Sequence, residues 1–310
     1  MAGETNTLAG LIQMNDLNLA NIDVTDLLEE APLLQVINAV TASNGTQHKY
    51  EKVTIAPGTA FRDPNTGIVN TAGKRTLVSI DLKLMDAGFD RDKAIAMGYK
   101  SGSEAYMAKE AIASLKTAFS NAEKQLINGT DADSDGNNGF ADTLGDIGDK
   151  VISAGGIIAD KQTSVYMVRS GDDDVSAVMG NEGDITMSEM FDNFLVTADT
   201  TGAGYDTFRM SILAWMGVQM GSVESAVRVA NLDTVATLTD DILATALLKF
   251  PSGKAPSYIV MNRQSLGQLQ NSRTATNPTG TPAPFPVEAF GIPIIATDSI
   301  NSIETIVTAP

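Results

Sequence analysis

Apolar residues recur at two different periods along the chain, and the changes of period mark its segments. HKYEKVTIAPGTAF (residues 48–61) and AGKRTLVSIDLKLM (residues 72–85) alternate apolar with polar positions, as at Val53, Ile55, Leu77, Val78, Ile80 and Leu82. Period two is the signature of a strand with one covered face. The turn-rich RDPNTGIVNTAG lies between them, so the pair predicts a long β-hairpin. An isolated two-stranded ribbon is marginal in water, and this one is expected to lean on something else.

From Ser101 the period lengthens. Ala108, Ile112, Leu115, Phe119, Ala122 and Leu126 fall three or four apart and predict one long helix. Ser101 and Glu104 have capping-box spacing, and Asn128-Gly129 supplies the stop. Strands follow at TSVYMVRS (Thr163–Ser170), DVSAVMG and the long YDTFRMSILAWMGVQMGSVESAVRVANL, with Trp215 expected in the core. The run Asp172–Asp174 is expected at a solvated loop tip.

The last third alternates. LTDDILATALLKF predicts a helix capped by Thr239, SYIVMN a buried strand, and RQSLGQLQNSR a short helix. FGIPIIATDSI (Phe290–Ile300) predicts a strand introduced by a turn at Gly291 and stiffened by Pro293, with Thr297 and Ser299 as turn hydroxyls. ETIVTA predicts a closing strand. This β–α–β–α order is that of a small α/β unit.

At the other end, Thr25 or Asp26 caps an expected helix that Pro32 cuts short. Leu33, Leu34, Val36 and Ile37 have no local core in sequence and are expected to dock elsewhere, as on a neighbouring subunit.

Composition narrows the function. The chain has 310 residues, 43% of them hydrophobic, enough to fold with a substantial core. Its 21 basic and 38 acidic residues give a net charge of −17, with no dense Lys/Arg cluster. Such a surface repels phosphate, which argues against ordinary nucleic-acid binding and against anionic membranes. MAGETNTLAG lacks the features of a signal peptide, and the uncharged run Met210–Val223 is too short for a bilayer. A soluble protein that stays where it is made is expected.

The absence of cysteine removes disulfides, thiolate zinc sites and cysteine nucleophiles. A single histidine, His48, leaves no room for an HExxH helix or an ordinary Ser–His–Asp triad. It is expected on an exposed strand position. DADSDGNNGFAD fits the calcium-loop template, with Asp131, Asp133 and Asp135 as side-chain ligands, Asn137 as carbonyl donor and Asp142 closing. Asn138 in place of an aliphatic residue, Asp in place of a closing Glu, and the glycine-bearing TLGDIGDKVI that follows favour a plain polar loop. TGAGYDT and GIVNTAGKR fall short of phosphate-loop spacing and read as turns. No catalytic, cofactor or metal site is expected.

Taken in order, EEAPLLQVINAVTASNGTQHKY, the hairpin, the helix ending AEKQLINGTDADSDGNNGFADTL, SVYMVRSG, RMSILAWMGVQMGSVESAVRVANL, SYIVMNRQSLGQLQNSR and FGIPIIATDSI resemble the major capsid proteins of tailed bacteriophages. The resemblance implies an α+β, Hong Kong 97-like capsid fold. Its expected parts are an N-terminal arm (1–47), an extended β-hairpin loop (48–85), a peripheral domain with a long spine helix and β-sheet (86–232), and an axial α/β domain (233–310). It implies no enzyme activity and no cofactor. It further implies a shell of pentamers and hexamers around double-stranded DNA, assembled in the host cytoplasm, with scaffolding, portal and decoration proteins as partners and no membrane.

The arm begins after only a few residues, so a long cleaved scaffolding segment is not expected. Some members cross-link through a lysine of the extended loop. Here Lys49, Lys52 and Lys74 lie on the hairpin, but solvated lysines are the expectation and no cross-link is predicted. An encapsulin-like compartment and a calcium-dependent binding module are the alternatives.

Overall fold

The structure is a computed structural model that describes residues 28–55, 58–67, 72–183, 185–196, 204–277 and 281–310. Its helices are α1 (Pro32–Val36), α2 (Lys93–Met97), α3 (Ser103–Asn128), α4 (Phe140–Thr143), α5 (Asp240–Leu247) and α6 (Arg263–Ala275). Its first strands are β1 (Ala39–Thr41), β2 (Gln47–Ile55), β3 (Lys74–Asp81), β4 (Lys83–Asp86), β5 (Phe89–Asp92), β6 (Val151–Ser153) and β7 (Thr163–Val168). Then come β8 (Val175–Met179), β9 (Thr186–Met187), β10 (Phe191–Val196), β11 (Gly204–Met210) and β12 (Ile212–Met220). The last are β13 (Ala226–Leu232), β14 (Tyr258–Met261), β15 (Glu288–Ala289) and β16 (Ile292–Ala296).

One sheet runs β15-β16-β14-β7-β13-β6. Every residue of β7 and β13 is buried, because the sheet is covered on both faces. Val165 and Met167 point with Val227, Ile259 and Met261 toward Leu243 of α5 and Leu269 of α6. Tyr166 and Val168 point the opposite way, into the core that contains α3. A second sheet, β1-β8-β12-β4 with β9 also on β12, shares that core. The boundary expected at residue 232 therefore falls between strands of a single sheet. β7 and β13 join β14 and β16, while β8 and β12 belong to the second sheet.

The long helix begins two residues after the expected cap. Gly102, at φ 90°, occupies the N-cap position and no side chain caps the helix. The buried face includes Met107 and Ala111, leaving Ala108 exposed, and then follows Leu115, Phe119, Ala122 and Leu126 as the periodicity predicts. The helix stops at Asn128, where Gly129 takes φ 61°. Trp215 is half-buried on β12 rather than in the core.

At the amino end, Thr25 and Asp26 lie outside the described residues. Pro32 is the first residue of a short helix, where its missing N–H is no loss. Leu33, Leu34 and Ile37 are fully buried in this chain's own core and do not wait for a neighbour.

The expected closing strand does not form. Its backbone is held by a side chain instead: Asn231 Nδ2 donates to the Val307 carbonyl (2.8 Å), and Val307 N donates to Asn231 Oδ1 (2.8 Å). A single bridge joins Glu304 to Gln162.

Candidate assembly interface

β2 and β3 pair antiparallel from Gln47↔Asp81 to Ile55↔Lys74, with an irregularity between Val53 and Ile55. The expected hairpin is present, and it is shorter than its apolar pattern. Lys83–Asp86 has already joined β12 as β4. Away from the body, apolar side chains stay uncovered: Leu77 is 68% exposed and Ile55 52%. Lys49 and Lys74 are exposed and Lys52 is half-buried. The residues 68–71 within GIVNTAGKR, and 201–203 of TGAGYDT, lie outside the described residues.

The root of the hairpin is packed. Leu82 is 3% exposed and its N–H donates to the Thr46 carbonyl at 2.9 Å. Asn181 N donates to the Gly45 carbonyl, and a Cβ on the adjacent Gly180 would collide with that same oxygen and with Trp215. His48, expected on an exposed position, is buried here. Its Nδ1 accepts from Ser43 N–H (3.2 Å) and its Nε2 bonds to Gln219 Oε1 (2.7 Å). The Asp172–Asp174 run is only partly a solvated tip: Asp174 is buried and pairs with Arg169 and Ser225.

Behind the root, three distant segments meet on one carboxylate. Glu123 of α3 accepts from Leu33 N–H (2.8 Å) and Leu34 N–H (3.3 Å) in the first turn of α1, where no carbonyl four residues back is available; Leu34 N–H is shared with the Ala31 carbonyl (3.1 Å). Its other oxygen accepts from the Thr297 hydroxyl. Thr297 Oγ1 in turn accepts from Ser299 N–H (3.0 Å), and Asn128 donates to the Ser299 carbonyl (2.7 Å). The hydroxyl expected to serve a local turn thus ties that turn to the spine helix. Burial raises the Glu123 carboxyl above its ordinary range, against the pull of the Thr297 and backbone donors.

Two more buried polar centres hold the six-stranded sheet. Arg228 Nε donates to Ser164 Oγ (2.9 Å), Nη1 to the Leu144 carbonyl (2.9 Å) and Nη2 to Glu304 Oε2 (3.0 Å). Burial raises the Glu304 carboxyl, with the Arg228 charge opposing. It also pushes the Tyr166 hydroxyl well above its usual range. Asp233 accepts from the N–H groups of Ile157, Ile158, Val235 and Ala236. Burial alone would raise its carboxyl, but the backbone donors and the Gln162 amide outweigh that and hold it at about 2. Ile157 and Val235, on the two loops so tied, are 81% and 78% exposed.

In the segment read as a calcium loop, the protein's own groups take several of the candidate ligand atoms. Gln125 Nε2 donates to the carbonyls of Gly129 (2.9 Å), Asp133 (3.2 Å) and Asn137 (2.7 Å). Asp142 accepts from Thr130 N (3.0 Å), the Thr130 hydroxyl (2.5 Å) and Gly139 N (2.9 Å). Asp133 Oδ1 accepts from Asp135 N. Among the described residues no three His, Asp or Glu side chains converge on a possible metal position, Asp131 included. Among them, too, no helix is long and apolar enough to cross a membrane.

Glu123 carried a sequence signal that went unread: it stands four residues after Phe119 and four before Ile127, inside the buried stripe. Arg228, inside an apolar strand, and Asp233, just beyond its end, had no comparable signal.

Residues 16–308 match the family described as Major capsid protein GP7. Comparison with curated proteins gives no match. Among solved structures, the chain is similar to bacteriophage Epsilon15, with a TM-score of 0.61 and 18% identity over 87% of this chain and 88% of that one. The bacteriophage JBD30 capsid gives a TM-score of 0.49 and 9% identity over 87% and 91%. The SrpI encapsulin complex of Synechococcus elongatus gives 0.42 and 7% over 65% and 87%. The family match spans nearly the whole chain and the Epsilon15 likeness supplies the α+β, Hong Kong 97-like fold, so the chain belongs to the major capsid protein family: it is a shell-forming protein of the virion capsid.

Proposed function

We propose that the chain forms the pentamers and hexamers of an icosahedral shell enclosing the double-stranded DNA of a tailed phage. Assembly takes place in the host cytoplasm, with scaffolding, portal and decoration proteins as partners. The role is structural, without catalytic turnover or a cofactor. In this reading α3 and the β1-β8-β12-β4 sheet make the peripheral part. The six-stranded sheet with α5 and α6 makes the axial part, with its inner strands drawn from both sides of residue 232. The observation that carries the proposal is the β2–β3 hairpin, whose Leu77 and Ile55 remain uncovered by the other described residues. A neighbouring copy would cover them. The net charge of −17 suits a wall that encloses DNA without gripping it.

Electron microscopy of the purified protein, alone and with a co-expressed scaffold, tests this directly. Closed shells with five- and six-fold clusters are expected. Monomers under all assembly conditions would overturn the shell, and particles from infected cells that never contain DNA would overturn the genome role.

A further inference from the structure

The only histidine of the chain stands where the hairpin leaves the body, with both ring nitrogens committed. A backbone N–H can only donate, so Nδ1, facing Ser43 N–H at 3.2 Å, must offer a lone pair. The proton of the neutral ring then sits on Nε2 and is donated to Gln219 Oε1 at 2.7 Å. The Gln219 amide is oriented accordingly, its Nε2 donating to the Asp172 carbonyl at 2.5 Å. The Ser43 hydroxyl accepts from Lys49 N–H at 2.9 Å, which locks the turn before β2 onto the strand itself. Tyr50 stacks on the ring at 5.9 Å between centroids.

A second proton has one place to go, Nδ1. There it would face the Ser43 N–H donor, replacing a hydrogen bond by two opposed N–H groups. Imidazole is the side chain whose charge ordinarily changes between about pH 5 and 8. We propose that His48 is a proton-sensitive latch at the hairpin root, closed while the ring is neutral and released when it is charged. The latch belongs to the single chain; its use in setting the hairpin's angle toward a neighbouring copy rests on the shell function proposed above.

The charges around the ring do not replace this logic. They lie along a groove of about 620 Å³ beside the hairpin. From the hairpin come Lys49, Glu51 and Arg75, the last two paired with each other at 2.9 Å. From the turn after β7, Arg169 is paired with Asp174, and Lys254 across the groove is paired with Glu224 at 3.4 Å. Asp172 and Asp173 are the remaining acids; Asp172 Oδ1 accepts from Asn38 at 2.8 Å. Both line the same groove as the ring.

Hydrogen exchange read by mass spectrometry on the unassembled full chain tests the latch without requiring a shell. Between about pH 7.5 and about pH 5.5, protection at the Ser43 amide and along the inner half of β2 should fall by about tenfold beyond the intrinsic pH effect. His48→Gln, which keeps an Nε2 donor for Gln219 and cannot charge, should show no such fall. Ring nitrogen chemical shifts in the wild type give an independent readout. An unprotonated Nδ1 at about pH 7.5 supports the latch, and a proton on Nδ1 at that pH overturns it. Equal pH dependence in wild type and His48→Gln, or a ring that charges while exchange at the root stays constant, would overturn it as well. All of these outcomes are independent of whether shells form.

Discussion

The β2–β3 hairpin and the β7–β13 pair of the six-stranded sheet are made of the same kind of secondary structure and end in opposite situations. Every residue of β7 and β13 is buried, between α5 and α6 on one face and the α3 core on the other. In β3 only two of the eight residues are even half-buried. Strand propensity does not separate the two; covering does. The sheet is stabilised within the chain, while the hairpin has a fixed root and a free outer half. Substitutions should divide the same way, with those in the sheet acting on unfolding and those on the outer hairpin acting on association.

The largest effect on unfolding should come from Arg228→Ala. It leaves the Glu304 carboxylate, the Ser164 hydroxyl and the Leu144 carbonyl without their shared donor in a buried site. Breaking one side of such a pair costs about 3 to 5 kcal/mol, measurable by denaturant unfolding of the unassembled chain. A cost below about 1 kcal/mol would mean that the sheet does not depend on this centre.

Next comes Gln125→Ala, which removes one amide from three carbonyls of the 129–137 loop. The carbonyls are part-buried or exposed and water can replace the amide, so the loss should be about 0.5 to 1.5 kcal/mol. Because the loop is closed by an amide, calcium should not shift the thermal midpoint of the wild type. A calcium-dependent rise that Asp133→Ala abolishes would show instead that a cation competes with Gln125 for the loop.

These two sites show what local pattern can and cannot deliver. The hairpin, the α3 stripe from Leu115 to Leu126, the Asn128-Gly129 stop and the Thr239 cap were legible because each depends on neighbours within a few residues. The Pro32 helix was missed because its first N–H groups are satisfied by Glu123, ninety positions away. His48 reads as exposed until Gln219, on β12, comes beside it. ETIVTA has the composition of a strand, but Asn231 takes the backbone groups of Val307. Nor does the sequence of the 131–142 loop show that the Gln125 amide, on the preceding helix, donates to the carbonyls of Gly129, Asp133 and Asn137.

Glu123→Gln separates charge from packing at the joint. The amide keeps the shape and one acceptor, so stability at neutral pH should change by no more than about 1 kcal/mol. The pH dependence should change more. Burial raises the Glu123 and Glu304 carboxyls above their ordinary value of 4.5, so the folded chain holds these protons more tightly than the unfolded chain. Their contribution is therefore full below 4.5 and is lost as pH rises through the raised folded values. Asp233 has the opposite sign: held at about 2 against an ordinary 3.8, it stabilises above 3.8 and loses that contribution as pH falls toward 2. Denaturation midpoints from about pH 4 to about pH 7 should fall less steeply in Glu123→Gln than in wild type. Parallel slopes would assign the titration to Glu304 alone.

The smallest effect on unfolding should come from Leu77→Ser, and it is the sharpest test of the contrast between sheet and hairpin. Leu77 is 68% exposed in the single chain, so there is little covered surface to lose, and surface substitutions of this kind usually stay within about 0.5 kcal/mol. A second copy lying over the hairpin would cover it, and burying a leucine side chain there is worth about 1.5 to 3 kcal/mol per contact. A closed shell repeats that contact at every subunit, so a modest loss per copy should abolish assembly while leaving each chain as stable as before. Unfolding midpoints of the unassembled chain and particle yield by electron microscopy give the two readings. If Leu77→Ser unfolds early, the outer hairpin is covered within its own chain; if it assembles as well as wild type, the contact between copies lies elsewhere on the molecule.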